Sequence, residues 1–229
     1  MNPPLDHSRL PAALLAAVSS DLRPVRPSPK PSWRAIGILP LALAAVIGVF
    51  CFIGLRRDTA VMGPVLAWGA SFLQLLLAIA LVWIAARENT PGQRLPKTFV
   101  RGALAAAALI VAGVSLWTFH ARPIVIPARF SAWRAAYSCG LNSTYAGVIL
   151  VVLVALILGR RLLAERPALV GALFGAAAGV VVNAGWRLSC PVSSPSHALG
   201  AHAGPILITT LVGAAVVSLM AKLTWGRRS

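Results

Sequence analysis

Acidic residues are nearly missing from this chain: five Asp and Glu stand among 229 residues, against 21 Lys and Arg. All charged residues together make up 11%, where a soluble domain carries about 25%. The acids are Asp6, Asp21, Asp58, Glu88 and Glu165, all read as lying in the tail or in loops. Transporters and pumps usually carry ionisable residues within their spans, so small-solute transport has little support. There is no nucleophile–base–acid constellation, phosphate loop or haem motif. No catalytic residue, metal-ligand set or cofactor is therefore assigned. Only three cysteines occur, and none forms a CxxC pair, which argues against a membrane thiol–disulfide oxidoreductase of the usual kind. The basic residues are spread over several short segments without a nucleic-acid module, so direct nucleic-acid binding is not expected. Basic segments on a cytoplasmic face meet anionic lipid headgroups instead.

Hydrophobic residues dominate, at 58% with a mean hydropathy of +0.81. Six apolar runs are visible, at about Ile36–Leu55, Met62–Ala86, Val100–Phe119, Thr144–Leu158, Ala168–Trp186 and Pro205–Leu223. The fourth run extends a little at each end. Runs of about 20 apolar residues read as membrane-spanning helices. They are too long and continuous for barrel strands. The expected fold is an all-α integral membrane protein, a six-helix bundle. The first run starts late and is followed by Arg56 and Arg57 rather than a small-residue cleavage site, so it is a retained helix.

Lys and Arg orient the bundle. Fifteen of the 21 fall in the N-terminal tail, the second and fourth loops with their flanks, and the C-terminal tail. Arg56, Arg57, Arg122, Arg129, Arg134 and Arg187 fall on the other side. The positive-inside rule makes the richer side cytoplasmic. Both termini are then cytoplasmic, and loops one, three and five face outward. The organisation is a tail at 1–35, a transmembrane domain at 36–223 and a short tail at 224–229.

The N-terminal tail is too small for a core of its own. Leu10, Leu14, Leu15, Val18 and Leu22 fall on one helical stripe about 140° wide. That helix stops before Pro24. Four prolines in RPVRPSPKPSWR then make a stiff, extended linker. The amphipathic helix suits either the inner leaflet or the groove of a soluble partner.

Gly171, Gly175 and Gly179 recur every four residues on the fifth helix. Such a stripe lets helix backbones approach closely. Packing inside one bundle is favoured over a homodimer face, and a homo-oligomer has no other support. In the third loop Phe130, Trp133 and Tyr137 form an aromatic face at the interface, with Arg129 and Arg134 toward headgroups. In the fifth loop Ser194 before Pro195 suits an early start of helix six that includes His197.

Cys51 lies inside the first run and reads as a small apolar residue. Cys139 and Cys190, 51 positions apart, sit at the mouths of two different runs, on the outward side where disulfides persist. A structural disulfide and a regulatory thiol pair are both open. His197 and His202 are close in sequence to Cys190, and His120 is on the same side. On an α-helix His197 and His202 would stand about 140° apart, which argues against a rigid zinc site. Capture of a thiophilic metal by the two thiols is easier.

Several of these segments together resemble the NrsF (negative regulator of sigma F) family of bacterial inner-membrane anti-sigma factors. The resemblance covers most of the chain. It rests on LAAVSSDLRPVRP, ending in Asp21-Leu22-Arg23-Pro24-Val25, and on the block from RPALVGALFGAAAG to SCPVSSPSHALGAHAG. The Arg160-Arg161 pair, a cysteine before helix four and the Cys190-Pro191 step also fit. Ala201-His202 departs from the aromatic pair common in relatives. The resemblance implies a protein that holds an extracytoplasmic-function sigma factor at the inner membrane. It implies that Cys139 and Cys190 respond to oxidising or heavy-metal stress. It places sigma-factor contact on the tail, around Leu14, Val18, Asp21, Leu22, Pro24 and Val25.

Overall fold

Helices account for nearly all the regular structure, and no strand occurs among the described residues. In this computed structural model the described residues are 12–21, 30–121, 132–159, 165–192 and 194–225. The chain divides into two units, Met1–Lys30 and Pro31–Ser229. In the first, α1 spans Ala12–Asp21. Leu14 is half-exposed on it. Leu22, Pro24, Val25 and the side chains of Val18 and Asp21 lie outside the described residues.

The second unit holds α2 (Pro31–Gly37), α3 (Leu39–Ile53), α4 (Thr59–Met62), α5 (Ala70–Glu88), α6 (Lys97–Ala121), α7 (Ala132–Gly159), α8 (Pro167–Ser189), α9 (Pro195–His197) and α10 (Gly204–Trp225). Turns of π-helix at Val65–Gly69 and Ala198–Ala203 lead into α5 and α10. Six stretches are long and apolar enough to cross a membrane: Pro31–Ile53, Val65–Glu88, Lys97–Ala121, Ala136–Ile157, Pro167–Ser189 and Pro195–Leu223. The all-helical, six-segment expectation therefore stands.

The differences in boundary have local causes. The first segment starts at Pro31 rather than Ile36, with a turn at Ile38 just before Pro40. α7 begins at Ala132, twelve residues before Thr144. Residues 132–143 are too polar for a hydropathy window, but they contain no proline and several helix-favouring alanines. α8 runs on to Ser189, so Arg187 is in its last turn rather than in a loop. Glu88, read as a loop residue, is the buried last residue of α5. Helix six does start early: Pro195 is at its first turn and Ser194 takes the N-cap position, although no side-chain capping bond forms.

α8 is the axis of the second unit. Of its 23 residues, 18 are buried, and it packs against α10, α5, α3 and α7. A helix that is apolar all round belongs in a core. Its glycine stripe faces α10. A Cβ on Gly171 would overlap the Gly213 carbonyl, and one on Gly175 the Thr209 carbonyl. One on Gly179 would overlap the Thr209 hydroxyl and the Ile206 backbone. Gly185 lies against Val46 and Val49 of α3. α5 is joined to α8 by polar groups: Asn183 Nδ2 donates to Gln74 Oε1 at 3.2 Å, and Ser71 Oγ donates to the Ala184 carbonyl at 3.0 Å. Asn183 thus makes the interhelical bond expected of a polar residue inside an apolar helix.

Outward faces are apolar. Phe52 is 92% exposed, Leu109 73%, Leu211 62% and Ile149 61%, a surface suited to lipid. α6 buries only Val100, Ala107, Val111, Val114 and Thr118, a single stripe. At one end of the unit Glu88 Oε1 accepts from the Leu95 N–H at 2.7 Å, and Arg166 reaches Glu88 Oε2 at 3.5 Å. The termini of the opposite end carry the cysteines.

Gly175→Ala is expected to destabilise the protein by about 1–3 kcal/mol, the range for overpacking a tight contact. Gly102→Ala, where an added Cβ meets nothing within 4 Å, should stay within about 0.5 kcal/mol. Thermal unfolding of both variants in detergent checks the contrast; equal midpoints would contradict the close packing.

Candidate functional site

Three chain ends meet beyond the last turn of α8. Cys190 is its C-cap residue, where the chain leaves the helix in extended conformation. Cys139 comes from the second turn of α7. The start of helix six supplies His197 and His202. Their approach depends on the close contact between α7 and the π-turn, where a Cβ on Gly140 would sit 3.6 Å from Ala201 Cα.

The thiols are adjacent, with Cys139 Sγ 3.9 Å from Cys190 Sγ. His197 Nε2 is 3.3 Å from Cys190 Sγ. Cys190 and both histidines are buried, and Cys139 is half-buried. The His197 and His202 rings meet edge-on with centroids 5.0 Å apart, and Trp186 lies 6.3 Å from His202. The α-helical separation expected for the two histidines is corrected here. The backbone between them is π-helical, and its i→i+5 pairing brings residues five apart to one side. Pro205, just beyond, offers no N–H to an α-helical ladder, which accounts for the irregular turn at this place.

The Cys190 thiol is held below the usual thiol range. Hydrogen bonding from Cys139 is the largest cause; burial opposes it, and His197 and His202 add to the lowering. A thiolate there is the reactive and metal-binding form of cysteine.

Buried guanidinium groups frame the cluster. Arg56 clasps Asp58 through two bonds of 2.6 and 2.7 Å, and its Nη2 reaches the Pro191 carbonyl at 3.4 Å. The Arg56 N–H donates to the Leu188 carbonyl at 2.8 Å. Arg187 donates to Thr118 Oγ1 at 2.9 Å and to the Leu66 carbonyl at 2.8 Å. Arg187 thus links α8 to α6 and to the π-turn before α5. A cavity of about 30 Å³ is lined by Arg56, Thr118, Arg187, Cys190 and His202. Burial raises the Asp58 carboxyl, but hydrogen bonding and charge from Arg56 more than offset this and hold it below its usual value.

Cys139 and Cys190 are therefore brought together, with His197 and His202 beside them. His120 is elsewhere, against Phe119 at the end of α6. Cys51 is exposed on α3. Phe130 lies outside the described residues, and Tyr137 is exposed near the start of α7. Sequence reasoning missed Arg56, Asp58 and Arg187. The available signal for Arg187 was a charged residue at the edge of an apolar run, which by default marks a functional position.

Fold and site define a helical protein with six membrane-length segments and a thiol–imidazole cluster at one end. Its family is narrower. The family model described as NrsF, Negative regulator of sigma F, matches residues 18–223, and the chain belongs to that family. By that description it is a regulator acting on a sigma factor. Comparison with curated proteins and with solved structures found no match.

Mild oxidation should join Cys139 to Cys190 and leave Cys51 free, read by counting alkylatable thiols before and after reduction; loss of Cys51 ahead of the pair would contradict the geometry. A lowered carboxyl contributes stability that is present above its unfolded value, near pH 4, and is lost as pH falls through the folded value. Asp58→Asn should thus lower the thermal midpoint at pH 7, with the gap to wild type narrowing as pH falls below the ordinary carboxylate range. A gap independent of pH would contradict the clasp.

Proposed function

We propose that this chain is a multi-pass anti-sigma factor of the bacterial inner membrane. It holds an extracytoplasmic-function sigma factor on the cytoplasmic side and releases it under oxidative or heavy-metal stress. Both termini are cytoplasmic, and Cys139 and Cys190 face the periplasm. The observation that carries this reading is a pair of thiols 3.9 Å apart at the end of the core helix in a member of a sigma-regulator family. The asymmetry of Lys and Arg supports the orientation. The apolar outward surface supports lipid as solvent.

The tail around Leu14, Val18, Asp21, Leu22, Pro24 and Val25 docks the sigma factor. The thiols are the input. Forming a disulfide requires the sulfurs to close from 3.9 Å to about 2.0 Å, which moves the end of α8 against the start of α7. Because Gly171, Gly175 and Gly179 leave no slack between α8 and α10, that movement is transmitted along both helices rather than absorbed. Switching an equilibrium from 1:99 to 99:1 needs about 5.5 kcal/mol of differential stabilisation, within the reach of a covalent or thiolate–metal bridge.

Co-purification of a sigma factor with the solubilised protein is the direct test. Deleting residues 1–25 should abolish capture; retained full affinity would exclude tail docking. Replacing both Cys139 and Cys190 by Ser should leave capture intact and remove induction of target genes by oxidant and by metal. Undiminished induction in that double variant would exclude the sensor role.

A further inference from the structure

We propose that His197 and His202 are metal ligands, and that with Cys139 and Cys190 they form a mixed sulfur–nitrogen site for a soft or borderline divalent cation such as Cd²⁺ or Zn²⁺. This deepens the sensor reading above, since it names the donors and the class of cation, and it rests on that reading only for its regulatory meaning.

The spacing carries the argument. Donor atoms of Cys139, Cys190 and His197 all lie within 4.8 Å of one another. A tetrahedral ion with metal–sulfur bonds of about 2.3 Å and metal–nitrogen bonds of about 2.0–2.1 Å keeps its donors roughly 3.5–3.8 Å apart. The sulfur–sulfur distance is 3.9 Å and the sulfur–nitrogen distance 3.3 Å. Both distances lie within a few tenths of an ångström of that range, whereas a disulfide needs the sulfurs to close to about 2.0 Å.

His202 is the fourth donor. Its ring sits edge-on to His197 with centroids 5.0 Å apart, and it lines the same small cavity as Cys190. Nδ1 of both histidines is buried without a hydrogen-bond partner. Neither ring is locked by a second bond, so His202 can present either nitrogen. The π-turn is the device that makes this possible, since an α-helix would turn one imidazole away. The adjoining cavity of about 30 Å³ has room for the ring to move or for a water to complete the coordination.

Donor chemistry sets the class of ion. Thiolate and imidazole suit Zn²⁺ and its softer relatives, whereas Mg²⁺ and Ca²⁺ require oxygen ligands. Each protonated thiol gives up its proton as the ion binds, and the imidazoles stay neutral. Two thiolates and a dication sum to zero charge, which a buried site tolerates. A groove of about 680 Å³ between α7 and the start of helix six has Tyr137 and Ser196 on its walls and meets the site at His197.

The test is titration of the full-length protein in detergent with Cd²⁺ alone. The thiolate-to-cadmium absorption band reports binding, and a competing chelator sets the affinity. Wild type should bind one ion per chain. His197→Ala and His202→Ala should each weaken binding by at least about tenfold, and Cys139→Ser by about a hundredfold or more. Oxidant should still join Cys139 to Cys190 in both histidine variants, though more slowly than in wild type because the thiolate loses imidazole support. Affinities within twofold of wild type in both histidine variants would overturn histidine ligation. Cadmium-113 NMR of the wild-type protein separates nitrogen-containing from sulfur-only donor sets, which decides the matter even if a variant fails to fold. A wild-type protein that binds no Cd²⁺ overturns the site, while sigma-factor co-purification still tests the anti-sigma reading by itself.

Discussion

The contact between α8 and α10 is the constraint on which the arrangement depends. Gly171, Gly175 and Gly179 meet the backbone of α10 directly, with Gly213 and Thr209 on the other side. Such contacts between small residues suit helices in lipid, where no hydrophobic force holds helices together and close van der Waals packing takes its place. The contact fixes the height of α8 relative to helix six. It therefore fixes where Cys190, one residue past α8, stands relative to His197 in the first turn of helix six. Thr209 is fully buried at this junction and also lies against Gly147 of α7. The helix that carries Cys139 is thus tied to the same point.

Around that junction the two ends of the bundle are built differently. At one end Glu88 and Arg166 bind the loop after α5 to the start of α8. At the other end the polar groups sit deeper and surround a reactive pair. Arg187 bridges three helical segments through neutral acceptors, and Arg56 is neutralised by Asp58. Buried cations without nearby carboxylates are costly. At Arg187 that cost is moderated by two good hydrogen bonds. In the proposed switch, Arg187 ties the last turn of α8 to α6 and to the π-turn before α5.

Much of the architecture was legible from residue order alone. Length and continuity of apolar runs sufficed for six helices, because each run must satisfy its own backbone hydrogen bonds in lipid. The four-residue glycine period pointed to one face of α8. The family resemblance, carried by the DLRPV segment and by Cys190-Pro191 with the polar run after it, is matched by the family model over residues 18–223. The boundaries were less legible. Hydropathy ended the fourth run near Thr144 although the helix continues through mixed polar residues to Ala132, since helix propensity and hydrophobicity are separate properties.

The sequence by itself determined the class of protein: all-helical, with six membrane-length segments, its few acids outside the apolar runs and two thiols at run ends. Those properties follow from composition and local periodicity, which need no knowledge of contacts. Only the tertiary structure decided that Cys139 and Cys190 touch, that His197 and His202 converge on them, and that Arg56, Asp58 and Arg187 enclose the group. These depend on how far α8 slides along α10 and on a π-turn that resets the helical phase between the histidines. Neither quantity is local, so neither could be read from the order of residues.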